Sequence, residues 1–274
     1  ADNIKTLALT SDTTAPTASI TRSNRTTCTV TATDSQSGLW KIEQLNSSNT
    51  PLTTTNFTSL YSKTANTAQE ITLDSTAVKV RVYDAAGNIS DPIQIPPLTV
   101  SGATTITTDQ LNGIKITANC TLTFGSGATA AIQIGHTSKE WAGIEIDTSK
   151  TDVKIQNSSS YAVNIYGGYG TDSYGSQIRY AGIYVPTSST LTMQGSGRTN
   201  AYGYQSGNGT GAGIGGNGIT LASSSSSVST TSAGTIKITA GTVYAYGGYA
   251  SEAKYGTGAG IGGGGIYNGY LTSL

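Results

Sequence analysis

The sequence predicts an all-β chain in two parts, an antiparallel β-sandwich over residues 15–97 followed by a parallel β-helix, or solenoid, over residues 98–274. Three observations carry this expectation. Charged residues make up only 11% of the 274, well below the share usual for a soluble protein, and Ser, Thr and Gly fill their place. Those polar residues alternate with Val, Ile and Tyr at the strand period, which separates the chain from a disordered polar tract. A Gly-rich element recurs through the second half.

Residues 1–14 are read as an extended segment whose "NIKTLALTS" is strand-like and free to add to a neighbour's sheet. From Ala15 the runs "TASITRS", "TCTVTATD", "LWKIEQLN", "EITLD", "VKVRVYD" and "PIQIPP" are short alternating strands parted by turns, the pattern of an antiparallel sandwich. The stretches "DTTAPTASI", "TATDSQSGLWKIE" and "VKVRVYDAAGNISD" resemble the bacterial immunoglobulin-like domains of secreted and wall-attached proteins. Those domains open on D-x-x-A-P and carry D-x-x-S-G and D-x-x-G-N turns. The resemblance implies Trp40 and Val82 as core positions and no paired core cysteines. Cys28 and Cys120 fall in different parts of the chain and are expected to be free thiols, an interdomain disulfide being the alternative. Asp34, Asp84 and Asn88 offer oxygen ligands for calcium. The same residue types bond their own backbone in turns, and that reading is preferred, so no metal is expected.

"DPIQIPPLTVSG" marks a boundary, after which Ala-Gly-Ile recurs at 142–144, 181–183, 212–214 and 259–261. Before each copy lies a strand, a small-residue corner and a second strand, as in "DVKIQNSSSYAVNIYGGYG" and "TIKITAGTVYAYGGYA". The uneven spacing falls in loops such as "LASSSSSVSTTSAG", which a solenoid tolerates because each repeat touches only its neighbours. About four irregular coils are expected, with Ile236, Ile238, Val243 and Ala245 inward and Lys237, Tyr244 and Tyr246 outward. Residues 235–265 resemble Gly-rich GAGIGG-type repeats in large surface proteins of gut-type Gram-positive bacteria. That resemblance implies a secreted, cell-surface, bacterial repeat protein.

Two stretches, Gly211 to Gly216 and Gly258 to Gly263, satisfy the G-x-G-x-x-G pattern of a dinucleotide loop. Such a loop needs a buried strand before it, a helix after it and an acidic residue about 20 positions on. No Asp or Glu lies between Asp172 and Glu252, and neither flank has the required pattern. Gly211, Gly213, Gly215, Gly258, Gly260 and Gly262 are therefore read as structural glycines that allow positive-φ corners and close coil contact, and no nucleotide or other cofactor is expected.

The formal net charge is zero and no basic cluster occurs, so nucleic acid is not an expected partner. No stretch is long and apolar enough for membrane insertion, and the start at Ala1 fits a processed chain or an arbitrary boundary. His136 is the single histidine, which argues against His-pair metal sites and a hydrolytic triad. Asp109, Glu140, Glu145, Asp147, Asp152 and Asp172 are the acids a β-helix polysaccharide lyase or hydrolase would need. Glu145 and Asp147 share an outward face, and the later coils supply no acid to meet them.

Tyrosines number sixteen against two Phe. Tyr166, Tyr169, Tyr202, Tyr204, Tyr244, Tyr246 and Tyr249 recur at equivalent repeat positions. They form either an outward ladder for sugar rings or cross-coil packing. The expectation is an extracellular structural or adhesive cell-surface protein, not an enzyme, self-assembling into a filament or layer through its N-terminal strand and open helix end, or bound to other surface proteins. A carbohydrate-binding module and a lyase or hydrolase are the alternatives.

Overall fold

A computed structural model describes residues 12–22, 24–171, 176–204, 210–220, 231–249 and 257–267. The fold is all-β and divides into two compact units, Ala1–Ile95 and Pro96–Leu274. "NIKTLALTS", most of the loop "LASSSSSVSTTSAG" and Asp172 lie outside the described residues.

The N-terminal unit has seven strands: β1 (Thr17–Arg22), β2 (Thr27–Thr33), β3 (Leu39–Leu45), β4 (Pro51–Asn56), β5 (Thr67–Thr72), β6 (Lys79–Asp84) and β7 (Ile93–Gln94). They form two sheets, ordered β1-β2-β5 and β4-β3-β6-β7, with every pairing antiparallel. Alternation decides which face is buried: Cys28, Val30 and Ala32 of β2 and Val80 and Val82 of β6 point inward and join Leu39, Ile42 and Ile71 in one core. β4 has no sequence signal of its own, since "PLTTTN" carries no alternating apolar residues.

Trp40 departs from expectation. The register between β3 and β6 shifts between Leu39 and Lys41, and this bulge turns Trp40 outward while Leu39 and Ile42 take the core positions. Trp40 is 39% exposed. It packs edge-on to Tyr83 with centroids 6.5 Å apart, and Lys41 Nζ sits 4.9 Å from its ring.

The C-terminal unit is built mostly from parallel pairs. Its strands are β8 (Leu98–Val100), β9 (Thr104–Ile106), β10 (Ile114–Ile116), β11 (Thr121–Phe124), β12 (Ile132–Ile134), β13 (Ile144–Ile146), β14 (Val153–Asn157), β15 (Val163–Tyr166), β16 (Tyr169–Thr171), β17 (Gln177–Arg179), β18 (Ile183–Tyr184), β19 (Thr190–Gly195), β20 (Arg198–Tyr202), β21 (Ile214–Gly215), β22 (Gly218–Thr220), β23 (Thr235–Ile238), β24 (Thr242–Tyr246), β25 (Ile261–Gly262) and β26 (Ile266–Tyr267). Three sheets are parallel throughout: β8-β10-β13-β18-β21-β25, β9-β11-β14-β19-β23 and β12-β15-β20-β24. From β10 onward the chain visits these three sheets in turn and returns to the first. A fourth sheet, β16-β17-β22-β26, mixes antiparallel and parallel pairs.

The recurring Gly-Ile has a direct physical role. The Ile amide donates to the carbonyl of the glycine that opens the equivalent strand one circuit later: Ile114 to Gly143 at 2.9 Å, Ile144 to Gly182 at 3.0 Å, Ile183 to Gly213 at 3.0 Å and Ile214 to Gly260 at 2.9 Å. Leu98 donates likewise to Gly113, so Asn112-Gly113-Ile114 belongs to the series; a search for Ala-Gly-Ile misses it because Asn replaces Ala. The isoleucines of this column face inward and Ile114, Ile144, Ile183 and Ile214 are buried with Leu122, Ile155, Leu191 and Met193 in a single core.

The last circuit differs. Ile238 lies in register with Met193, as an inward residue should, yet it is 44% exposed, because no described strand follows β23 in its sheet. Ile236, Val243 and Ala245 pack against the core but remain half-buried for the same reason.

Candidate functional site

The tyrosines form two columns. Tyr166, Tyr202 and Tyr246 end β15, β20 and β24 and are register partners, so strand spacing sets their separation. Ring centroids are 4.9 Å apart at both steps, with interplanar angles of 9° and 6°. Tyr169 and Tyr204 make a second stack at 5.7 Å, with the Arg179 guanidinium 5.3 Å from the Tyr169 centroid. Tyr244, half exposed, lies 6.4 Å from Tyr246 on the same strand, and Tyr249 is exposed. Burial raises the Tyr166 hydroxyl pKa, and the neighbouring Tyr202 adds to the effect.

This geometry limits what the ladder can bind. A pyranose stacks on an open aromatic face, but both faces of Tyr202 are covered by Tyr166 and Tyr246. Edges and hydroxyls remain. They border a groove of about 270 Å³ lined by Thr137, Tyr166, Gly167, Tyr202 and Gly203. Polar side chains pair across neighbouring strands in the same way: Asn200 Nδ2 donates to Asn164 Oδ1 at 2.7 Å between β20 and β15, and Gln194 Nε2 to Gln156 Oε1 at 3.1 Å between β19 and β14.

No family model, curated protein or solved structure matches this chain.

The glycine motifs sit where successive circuits touch. Gly213, Ile214 and Gly216 donate their amides to Ala259, Gly260 and Gly262, so the N–H groups that would cradle a phosphate serve the next strand instead. A Cβ on Gly213 would lie 2.6 Å from Tyr246 N and 2.7 Å from Gly260 O. Gly211 and Gly258 are held by similar backbone approach, and Gly260 meets only Ala245 O, at 2.7 Å. Of the six motif glycines, only Gly215 (138°) and Gly262 (132°) have positive φ. The expectation of positive-φ corners therefore applies to these two, and crowding accounts for the other four.

In the N-terminal unit, Asp12, Asp34 and Asp84 bring carboxylate oxygens within 4.8 Å of one another, and these are the described residues that could hold a hard divalent cation. Asp12 was not among the sequence candidates. The same oxygens already serve turns. Asp34 accepts from Gln36 N at 3.4 Å and from Gly38 N, Asp84 from Asn88 N and Nδ2 at 2.8 Å each, and Asp12 from Thr14 N at 2.9 Å and Ser37 N at 3.0 Å.

Among the described acids of the C-terminal unit, Glu145 and Asp147 share one lysine, and Asp152 and Asp109 have partners of their own. Lys115 Nζ pairs with Glu145 at 3.2 Å and Asp147 at 3.1 Å, Lys154 pairs with Asp152, and Asp109 accepts from Gln133 N. His136 Nδ1 lies 2.8 Å from Ser138 Oγ, and burial, helped by Lys139, lowers its pKa. Cys28 and Cys120 are thiols not joined in a disulfide; Cys28 is buried and Cys120 half-buried, and burial raises the Cys120 thiol pKa.

Proposed function

We propose that residues 98–274 form a parallel β-helix, that residues 15–97 form an immunoglobulin-like sandwich, and that the chain serves outside the cell as a structural or adhesive surface module. The observation that carries this reading is the in-register stacking of Tyr166, Tyr202 and Tyr246. Side chains on the outer face bind one another along the coil axis, as in a scaffold whose repeats are stabilised by their neighbours. A carbohydrate-binding role is the second reading, and it rests on the groove beside Tyr166 and Tyr202.

Tyr202→Ala separates the two. The scaffold reading expects a lower thermal midpoint and no glycan signal to lose on an array. Binding of a glycan by the wild type, lost in the variant at unchanged midpoint, would overturn it.

A further inference from the structure

The N-terminal unit has four edge strands, β1 and β5 in one sheet and β4 and β7 in the other. An edge offers unpaired amides and carbonyls to any strand that reaches it, and proteins blunt such edges with charge, proline, shortness or cover. Three of the four are blunted. β7 has two residues, stands between Pro92 and Pro96, and lies against β1. β5 carries the exposed charge of Glu70, and its Gln69 side chain accepts hydrogen bonds from Thr58 N and Oγ1. β4 lacks these devices apart from Pro51 at its start. Its "LTTTN" is uncharged, largely exposed and rich in Thr, a good strand former. β4 bonds to β3 along one side, and among the described residues no backbone group of Pro51–Asn56 has a partner on the other.

We propose that two copies of this chain pair β4 with β4 about a two-fold axis, extending β4-β3-β6-β7 into one continuous sheet across the dimer. A strand that meets its own copy about a two-fold axis is antiparallel by symmetry, and antiparallel pairing is what this sheet already uses. Face matching then sets the register. Thr53 and Thr55 pair with Gln44 and Ile42 of β3, and Thr54 and Asn56 with Glu43 and Lys41 on the opposite face. Like faces therefore meet only when a residue lies on the axis. Placing Thr54 there sets Thr53 opposite Thr55 and keeps Pro51, which has no amide to give, out of the ladder. Cross-strand Thr pairs favour the contact, and no charge meets its like. A two-fold contact closes on itself, so the assembly stops at a dimer. The proposal stands on sheet order and register and does not depend on the immunoglobulin-like reading.

Thr54→Cys in the whole chain tests the register. Facing residues of an antiparallel pair have Cα atoms about 4.5–5.5 Å apart, within the span of a disulfide, so mild oxidation is expected to link two copies through residue 54. Thr72→Cys, at an exposed position of β5, retains the same Cys28 and Cys120 and is expected to stay unlinked. Analytical ultracentrifugation over a wide concentration range gives the second readout. One strand pair is a small interface, so the wild type is expected to dissociate on dilution. Thr54→Lys is expected to raise the dissociation constant by roughly tenfold or more, because each ammonium faces its own copy. Glu43 lies opposite residue 54 within the chain, so this variant is expected to keep its thermal midpoint. A wild type monomeric at every concentration leaves the edge to some other partner and overturns the proposal. So does an open-ended polymer, a dimer indifferent to Thr54→Lys, or the absence of linkage through Thr54→Cys.

Discussion

Glu43 accepts hydrogen bonds from three side chains: Lys41 Nζ at 2.7 Å, Tyr83 Oη at 2.7 Å and Arg81 through Nε at 3.0 Å and Nη2 at 2.8 Å. Burial alone would raise its pKa, but these bonds and the Lys41 charge together lower it from 4.5 to about 2. A carboxylate depressed in the folded state stabilises it above the unfolded pKa and loses that contribution as pH falls through the folded one. The N-terminal unit should thus weaken between pH 4.5 and about 2, and Glu43→Gln should remove that part of the slope. Chemical denaturation across this window checks it; an unchanged slope in the variant would contradict the pairing. The two GAGIGG copies offer a second comparison at this scale. Gly213 is crowded by the backbone at Tyr246, Gly260 and Ala201 and Gly260 by the Ala245 carbonyl, so Gly213→Ala should cost about 1–3 kcal/mol and Gly260→Ala less. Equal losses in thermal melts would mean that coil contact is not what the glycine serves.

At the scale of elements, stacked aromatic pairs contribute about 0.5–1.5 kcal/mol each beyond their burial. Tyr202 touches a ring on each side in the column, so Tyr202→Ala should destabilise more than Tyr166→Ala, which removes one stack; denaturant midpoints decide. These columns were half legible in the sequence. Repeats such as "VNIYGGYG" and "VYAYGGYA" place the tyrosines at equivalent positions, but whether the rings offer faces to a ligand or to each other depends on register between strands up to 44 residues apart, which no local pattern encodes. The same limit explains Trp40. The resemblance to immunoglobulin-like domains implies a core position for it, and a one-residue bulge set by pairing with β6 turns it outward. The carboxylate trio was hidden for a related reason, since Asp12 joins Asp34 and Asp84 only through the fold.

For the whole molecule, the all-β class was legible in the sequence because it follows from local alternation, and parallel pairing brings the recurring Gly-Ile elements side by side. Sequence alone missed the sheet β16-β17-β22-β26, whose strands "YGT", "QIR" and "GIT" carry no periodic signal. In the proposed β-helix the circuits of the C-terminal unit stack as coils held by the Ile-to-Gly hydrogen bonds. Cooperative stacking makes those bonds open together. Native-state hydrogen exchange at the amides of Ile114, Ile144, Ile183 and Ile214 measures this most directly. The account predicts slow exchange of all four at a common free energy of opening, and exchange of any of them at the rate of an unstructured chain would contradict it.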